Sequence, residues 1–117
     1  MSVDTDPRPD DGLIVSTRPQ GDWRVIEVRG ELDIATVHLL DDQVTAAAAG
    51  VRPQIALELS GLGFCDCAGL AGIVRAAKRA AETGGRLMLL RPSRPVSRCL
   101  RLTGLDRHLV IADTLAS

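Results

Sequence analysis

Residues Phe64-Cys65-Asp66-Cys67-Ala68-Gly69-Leu70 gather an acid, two thiols and a glycine where an apolar strand pattern gives way to a helical one. A helix start presents unpaired backbone N–H groups and a partial positive charge, so a side chain standing there faces anions, partners or modifying enzymes. Three chemistries suit such a turn. As a nucleophile, Cys67 would have its thiolate favoured by the helix dipole and opposed by the charge of Asp66. A cysteine hydrolase also needs a base, and the histidines are His38, inside a predicted helix, and His108, near the C-terminus, neither tied to the thiol by sequence. As metal ligands, Cys65, Asp66 and Cys67 lack the second cysteine pair of the usual zinc spacing. As a redox sensor, Cys67 has Cys65 close by, although residues two apart on a strand form a strained disulfide. Cys99 falls in a helical apolar stripe and reads as core. No catalytic residue, metal or other cofactor is expected.

The elements that must hold this turn follow from periodicity. Leu13-Ile14-Val15 and Arg24-Val25-Ile26-Glu27-Val28 are β-branched runs around Arg18-Pro19-Gln20-Gly21-Asp22, and predict an antiparallel hairpin. Val37, Leu40, Val44 and Ala47/Ala48 then recur at helical spacing, with Asp33 or Thr36 as cap and Gly50 as stop. Ile55–Leu59 predicts a strand, and Leu70, Ile73, Val74, Ala77 and Ala81 the buried stripe of a helix stopped by Gly84-Gly85. A strand over Arg86–Leu90, a third helix capped by Ser93 and closed by Gly104, and a weak strand over His108–Ile111 complete the chain. The order β-β-α-β-α-β-α-β predicts an α/β domain with a mixed sheet of four to five strands, its later strands joined by right-handed crossovers. Glu27 and Glu58 interrupt otherwise apolar strands, so the helices are expected mainly on one face.

Bulk properties narrow the function. A chain of 117 residues that is 45% hydrophobic suits one domain, and 14 Lys and Arg against 15 Asp and Glu give no pull toward nucleic acid or an anionic membrane. Trp23 and Phe64 are the only aromatics, too few for a base-stacking platform. No secretory signal or membrane-spanning run is evident, so a cytoplasmic protein without direct membrane insertion is expected, its three cysteines kept as thiols. Residues 1–11 carry four Asp and two Pro and are expected to be a mobile acidic tail, with 12–117 as the domain. Neither phosphate-binding glycine signature occurs after a strand. Arg91, Arg94, Arg98 and Arg101 surround the third helix, as an acidic-surface contact or as a solvated face.

Four motifs in order carry a resemblance: Val28-Arg29-Gly30-Glu31-Leu32-Asp33, Phe64 to Leu70, Gly84-Gly85, and Leu102-Thr103-Gly104-Leu105. Over about Leu13 to Ala112 the chain resembles a STAS domain, and more narrowly the bacterial anti-sigma factor antagonists. That resemblance implies partner switching, in which the antagonist docks on an anti-sigma factor that is also a Ser/Thr kinase and so frees a sigma factor. It further implies a partner-binding set of Glu31, Asp33, Asp66, Cys67, Ala68 and Gly69. In the family a Ser follows the Asp and receives an inactivating phosphate; alignment on Asp66 and Gly69 puts Cys67 in that phosphoacceptor position. Cys67 has no hydroxyl and Ala68 removes the adjacent one, leaving Ser60 and Thr103 as the nearest by motif position. For Asp33, helix capping and partner contact are both open. Two other roles fit the same residues: a STAS accessory subunit of a membrane transporter, and a thiol-based redox sensor using Cys67.

Overall fold

The computed structural model describes residues 12–115, and the expected acidic tail lies outside them. Strands β1 (Leu13–Gln20) and β2 (Trp23–Leu32) pair antiparallel about Gly21-Asp22, where Gly21 takes the positive φ, +60°, that tight hairpin turns demand. Pro19 lies on β1, an edge strand, where a missing N–H is tolerated. From β2 onward every pairing is parallel: β2 with β3 (Gln54–Glu58), β3 with β5 (Arg86–Leu90), and β5 with β6 (Val110–Ala112). Helices α1 (Val37–Ala47), α2 (Cys67–Glu82) and α3 (Arg94–Thr103) make the connections.

Two elements differ from the sequence expectation. A short strand, β4 (Leu62–Cys65), continues the path of β3 and pairs with the upper part of β2 through Gly30, Glu31 and Leu32. Its four residues include a glycine, too little apolar pattern to be read from sequence. The final strand starts at Val110 because Leu105–Arg107 form a 3₁₀ turn after Gly104. The cap assigned to Ser93 also changes: it holds the N-cap position of α3, but its hydroxyl donates to the Leu62 carbonyl and ties the helix start to β4 instead.

The sheet has two unlike faces. Ile26, Val28, Ile55, Leu57 and Leu89 are fully buried and pack with Leu40, Val44, Ile73, Ala80, Val96 and Leu100 of the three helices in one core. The opposite face carries the smaller cluster of Trp23, Val25, Ala56, Met88 and Leu90, edged by Ala112 and Leu115. Helices therefore cover one face, as expected, although Glu58 itself is a buried residue at the end of β3.

Glu58 ends β3 on that second face, 5% exposed, ion-paired with Arg91 and accepting the Ser60 N–H at 2.9 Å. Arg91, at φ +48°, also donates to the Asp113 carbonyl at 2.6 Å and so straps the C-terminal residues to the sheet. Burial raises the Glu58 pKa, but the Ser60 and Arg91 hydrogen bonds and the Arg91 charge outweigh it, leaving the carboxyl below its ordinary value of 4.5. A depressed folded pKa stabilises fully above the unfolded value and is lost as pH falls through the folded one. Arg91→Met is expected to cost about 1–3 kcal/mol near neutral pH, toward the low end because the Arg91 side chain is 44% exposed. Urea unfolding at neutral and acid pH checks this: the difference from the parent shrinks in acid, and a pH-independent difference would contradict the pairing.

Candidate functional site

The ends of β2 and β4 lie side by side, with Leu32 and Cys65 paired and both buried. Asp66 follows, its N–H bonded to the Leu32 carbonyl at 3.2 Å and its backbone extended at φ −95°, ψ −170°. In that N-cap geometry its Oδ1 accepts the Gly69 N–H at 2.9 Å, while its carbonyl accepts the Leu70 N–H at 2.9 Å and opens α2. The carboxylate stands where the helix dipole favours negative charge. Cys67 is the first helical residue and is exposed; Ala68 beside it is half-buried. Gly69 is buried, and a Cβ there would lie 2.5 Å from the Leu32 carbonyl oxygen and 2.9 Å from the Cys65 Sγ. Only a glycine lets α2 settle this closely onto the end of β2.

The neighbouring loop is built by Asp33 and Thr36. Asp33 Oδ1 accepts the N–H groups of Ala35 (3.0 Å) and Thr36 (3.1 Å). The Thr36 hydroxyl donates to the Glu31 carbonyl at 2.9 Å and accepts the Asp33 N–H at 3.0 Å. Thr36 occupies the N-cap position of α1 without a capping bond; Asp33 does the capping, one turn earlier. Glu31 is exposed beside the register shift between Gly30 and Glu31, which lets β2 pair with β4 and not only β3.

The structure thus brings Glu31, Asp33, Asp66, Cys67 and Ala68 to one edge, with Gly69 beneath them. It adds two residues that sequence reasoning did not single out as contacts. Ile34 is 79% exposed in the loop after Asp33, and Phe64, paired with Glu31 across the strands, is 48% exposed. The signal for Ile34 was its place in a turn, outside the helical spacing that starts at Val37. Scattered apolar residues on a surface are ordinary; these two flank a cluster of acids and a helix start.

The three cysteines stand in different settings. Burial foremost, then Cys99, Asp66 and Cys67, push the Cys65 thiol up to about 12, so it stays protonated. Cys99 is half-buried, its Sγ 3.8 Å from the Cys65 carbonyl oxygen. His38 and His108 are exposed, and among the described residues neither hydrogen-bonds to Cys67. Among the described residues no three His, Cys, Asp or Glu side chains cluster as metal ligands, and no helix is long and apolar enough to cross a membrane. Ser60 lies in the turn between β3 and β4, and the Thr103 hydroxyl is bonded to the Cys99 carbonyl at 2.7 Å, so neither hydroxyl stands on the Cys67 turn. At the start of α2 the exposed Cys67 therefore stands beside the capping carboxylate of Asp66.

Comparison with known proteins bears on what the chain is. The family described as Mlab, STAS domain, matches residues 15–112. The anti-sigma-F factor antagonist RsfA of Mycobacterium tuberculosis is 34% identical over 95 residues, covering 80% of this chain and 74% of that one. An anti-sigma factor antagonist from Mycobacterium paratuberculosis shares the fold, with TM-score 0.79 at 24% identity over 90% of this chain and 89% of that one. The antagonist SpoIIAA of Bacillus in its unphosphorylated form gives TM-score 0.70 at 25% identity, over 85% and 88% of the two chains.

Proposed function

We propose, since the chain belongs to the STAS domain family, that it is an anti-sigma factor antagonist docking its partner through the edge around Asp66 and Cys67. The observation that supports this most is the grouping of Glu31, Ile34, Phe64, Asp66 and Cys67 on one exposed edge, in a chain 34% identical to an antagonist. The partner is an anti-sigma factor of the Ser/Thr kinase type, and docking on it releases a sigma factor. Glu31, Asp33 and Asp66 meet a basic patch of the kinase, Ala68 lies under the contact, and Gly69 positions α2.

SpoIIAA is known in phosphorylated and unphosphorylated forms. A phosphate beside Asp66 would add nearly two negative charges to an edge already acidic and break the contact by repulsion and desolvation. Here the acceptor position holds Cys67, so docking is not switched off by phosphoryl transfer to a hydroxyl. After incubation with the cognate kinase and ATP, mass spectrometry is expected to find no phosphate between Phe64 and Leu70, and one on the Cys67→Ser variant. A phosphate on the unaltered turn, or none on Cys67→Ser, would contradict this.

A further inference from the structure

The two edges of the sheet are finished differently. The exposed half of β1 reads Ser16-Thr17-Arg18-Pro19-Gln20, whose charge and missing N–H discourage a further strand. At the other edge β6 reads Val110-Ile111-Ala112, without charge, proline or glycine, and Val110 and Ile111 are 60% and 40% exposed. Among the described residues no strand pairs with its outer side. A bare apolar edge is a template for another strand.

Backbone direction fixes what that edge offers. The Arg91 N–H donates to the Ala112 carbonyl at 2.9 Å, so Ala112 turns its polar groups toward β5. Those groups alternate sides along a strand; Val110 therefore does the same, and the Ile111 N–H and C=O point outward. Side chains alternate as well. Ile111 lies across from Leu89 on the helix-covered face, and Val110 and Ala112 lie across from Met88 and Leu90 on the other.

An outward donor and acceptor on the middle residue of a three-residue strand are their own complement. A second copy of β6, turned about a two-fold axis at Ile111, exchanges both bonds with the first as an antiparallel pair. Ile111 then faces its counterpart, and on either side Val110 faces Ala112 of the other copy, a branched side chain against a methyl. Charge selects the same direction. Asp113, just beyond the strand, meets the end that carries Arg107 and His108, with Asp106 one residue further off; a parallel arrangement brings the two Asp113 carboxylates together. We infer that the outer edge of β6 is a self-association edge, where a second copy of this chain adds antiparallel and continues the sheet. β6 lies three strands from β2, about 14 Å at the usual spacing, so the Asp66–Cys67 edges stay open at opposite ends of the joined sheet. Three residues a side bury far less than the roughly 1,200 Å² of a stable interface, which makes the dimer transient and concentration-dependent.

Sedimentation equilibrium of the full chain tests it. Between about 10 μM and about 1 mM the average mass is expected to climb from the monomer's toward twice that value. Ile111→Pro removes only the outward N–H, where an edge strand tolerates proline, and Ile111→Lys sets like charges opposite each other. Both are expected to stay monomeric over that range while keeping the parent's circular dichroism. Mixing Ile111→Lys with Ile111→Glu restores the dimer that neither forms alone. Mild oxidation in a Cys67→Ala, Cys99→Ser background reads the register: Val110→Cys mixed with Ala112→Cys cross-links about fivefold or more above Val110→Cys alone, because only facing Cβ atoms come within disulfide reach. A mass that stays monomeric to about 1 mM, or an association unmoved by both Ile111 changes, would overturn the inference. Equal cross-linking of Val110→Cys alone would overturn the antiparallel register. A monomer whose Val110–Ala112 amides shift on adding the cognate anti-sigma factor would assign the edge to that protein and overturn the second copy.

Discussion

Asp66→Lys is expected to weaken docking on the proposed anti-sigma partner by about 100-fold or more, equivalent to about 2.7 kcal/mol. The substitution places a cation where the edge offers Glu31, Asp33 and Asp66 to a basic surface, and like charges brought together at a contact cost several kcal/mol. It also removes the bond to the Gly69 N–H, 2.9 Å in the parent, and sets a positive charge against the helix dipole. Those local losses amount to about 1–2 kcal/mol of fold stability, small enough for the chain to remain folded. Two comparators separate the causes. Asp66→Asn keeps a good N-cap and removes only the charge, so it should bind weakly while staying as stable as the parent. Cys67→Ala should bind within about threefold of the parent, roughly 0.6 kcal/mol, because the thiol contributes contact area and no charge. Titration calorimetry with thermal unfolding of each variant measures both sides.

Gly69→Val should be the most destabilising single change at the site. A Cβ alone meets the Leu32 carbonyl oxygen at 2.5 Å, the Cys65 Sγ at 2.9 Å and the Leu32 Cγ at 3.0 Å. None of these can yield cheaply, since Leu32 and Cys65 are buried and paired across β2 and β4. Relief requires α2 to lift from the sheet, taking Ile73, Ala76 and Ala80 out of register with the core they help to form. Overpacking of this kind costs about 3 kcal/mol or more when backbone must move, a fall in Tm of roughly 10 °C or more for a domain of this size. Docking should fall as well, because the lifted helix carries Asp66 and Cys67 with it. Thermal unfolding that shows no loss would mean the helix start is looser than its geometry.

Much of this fold was legible in the sequence because most elements announce themselves by period. Both β2 and α2 form where the pattern placed them, but the burial differs in detail: Trp23 and Val25 lie on one face of the sheet and Ile26 and Val28 on the other, and the buried stripe of α2 runs through Leu70, Ile73, Ala76 and Ala80 with Ala81 exposed. Strand β4 was not legible, since its identity comes from the partner it finds on β2 and not from its own four residues. The Ser93 hydroxyl illustrates the same limit: its position before α3 matches a cap, yet its oxygen accepts no helix N–H and its O–H donates to the Leu62 carbonyl of β4. At the site, motif spacing brought out Asp66 and Cys67. Ile34 and the exposure of Phe64 emerged only once β2 and β4 were seen to end together, because exposure is a property of the packed edge.

The docking edge is tested most directly by adding the cognate anti-sigma factor to the isotope-labelled chain and mapping the amide shifts. The largest changes are predicted at Glu31–Ala35 and Phe64–Ala68, with little at the opposite end of the sheet around Gln20–Trp23 and Gly84-Gly85. Saturable binding whose shifts centre on that opposite end, or no binding at all, would contradict the account.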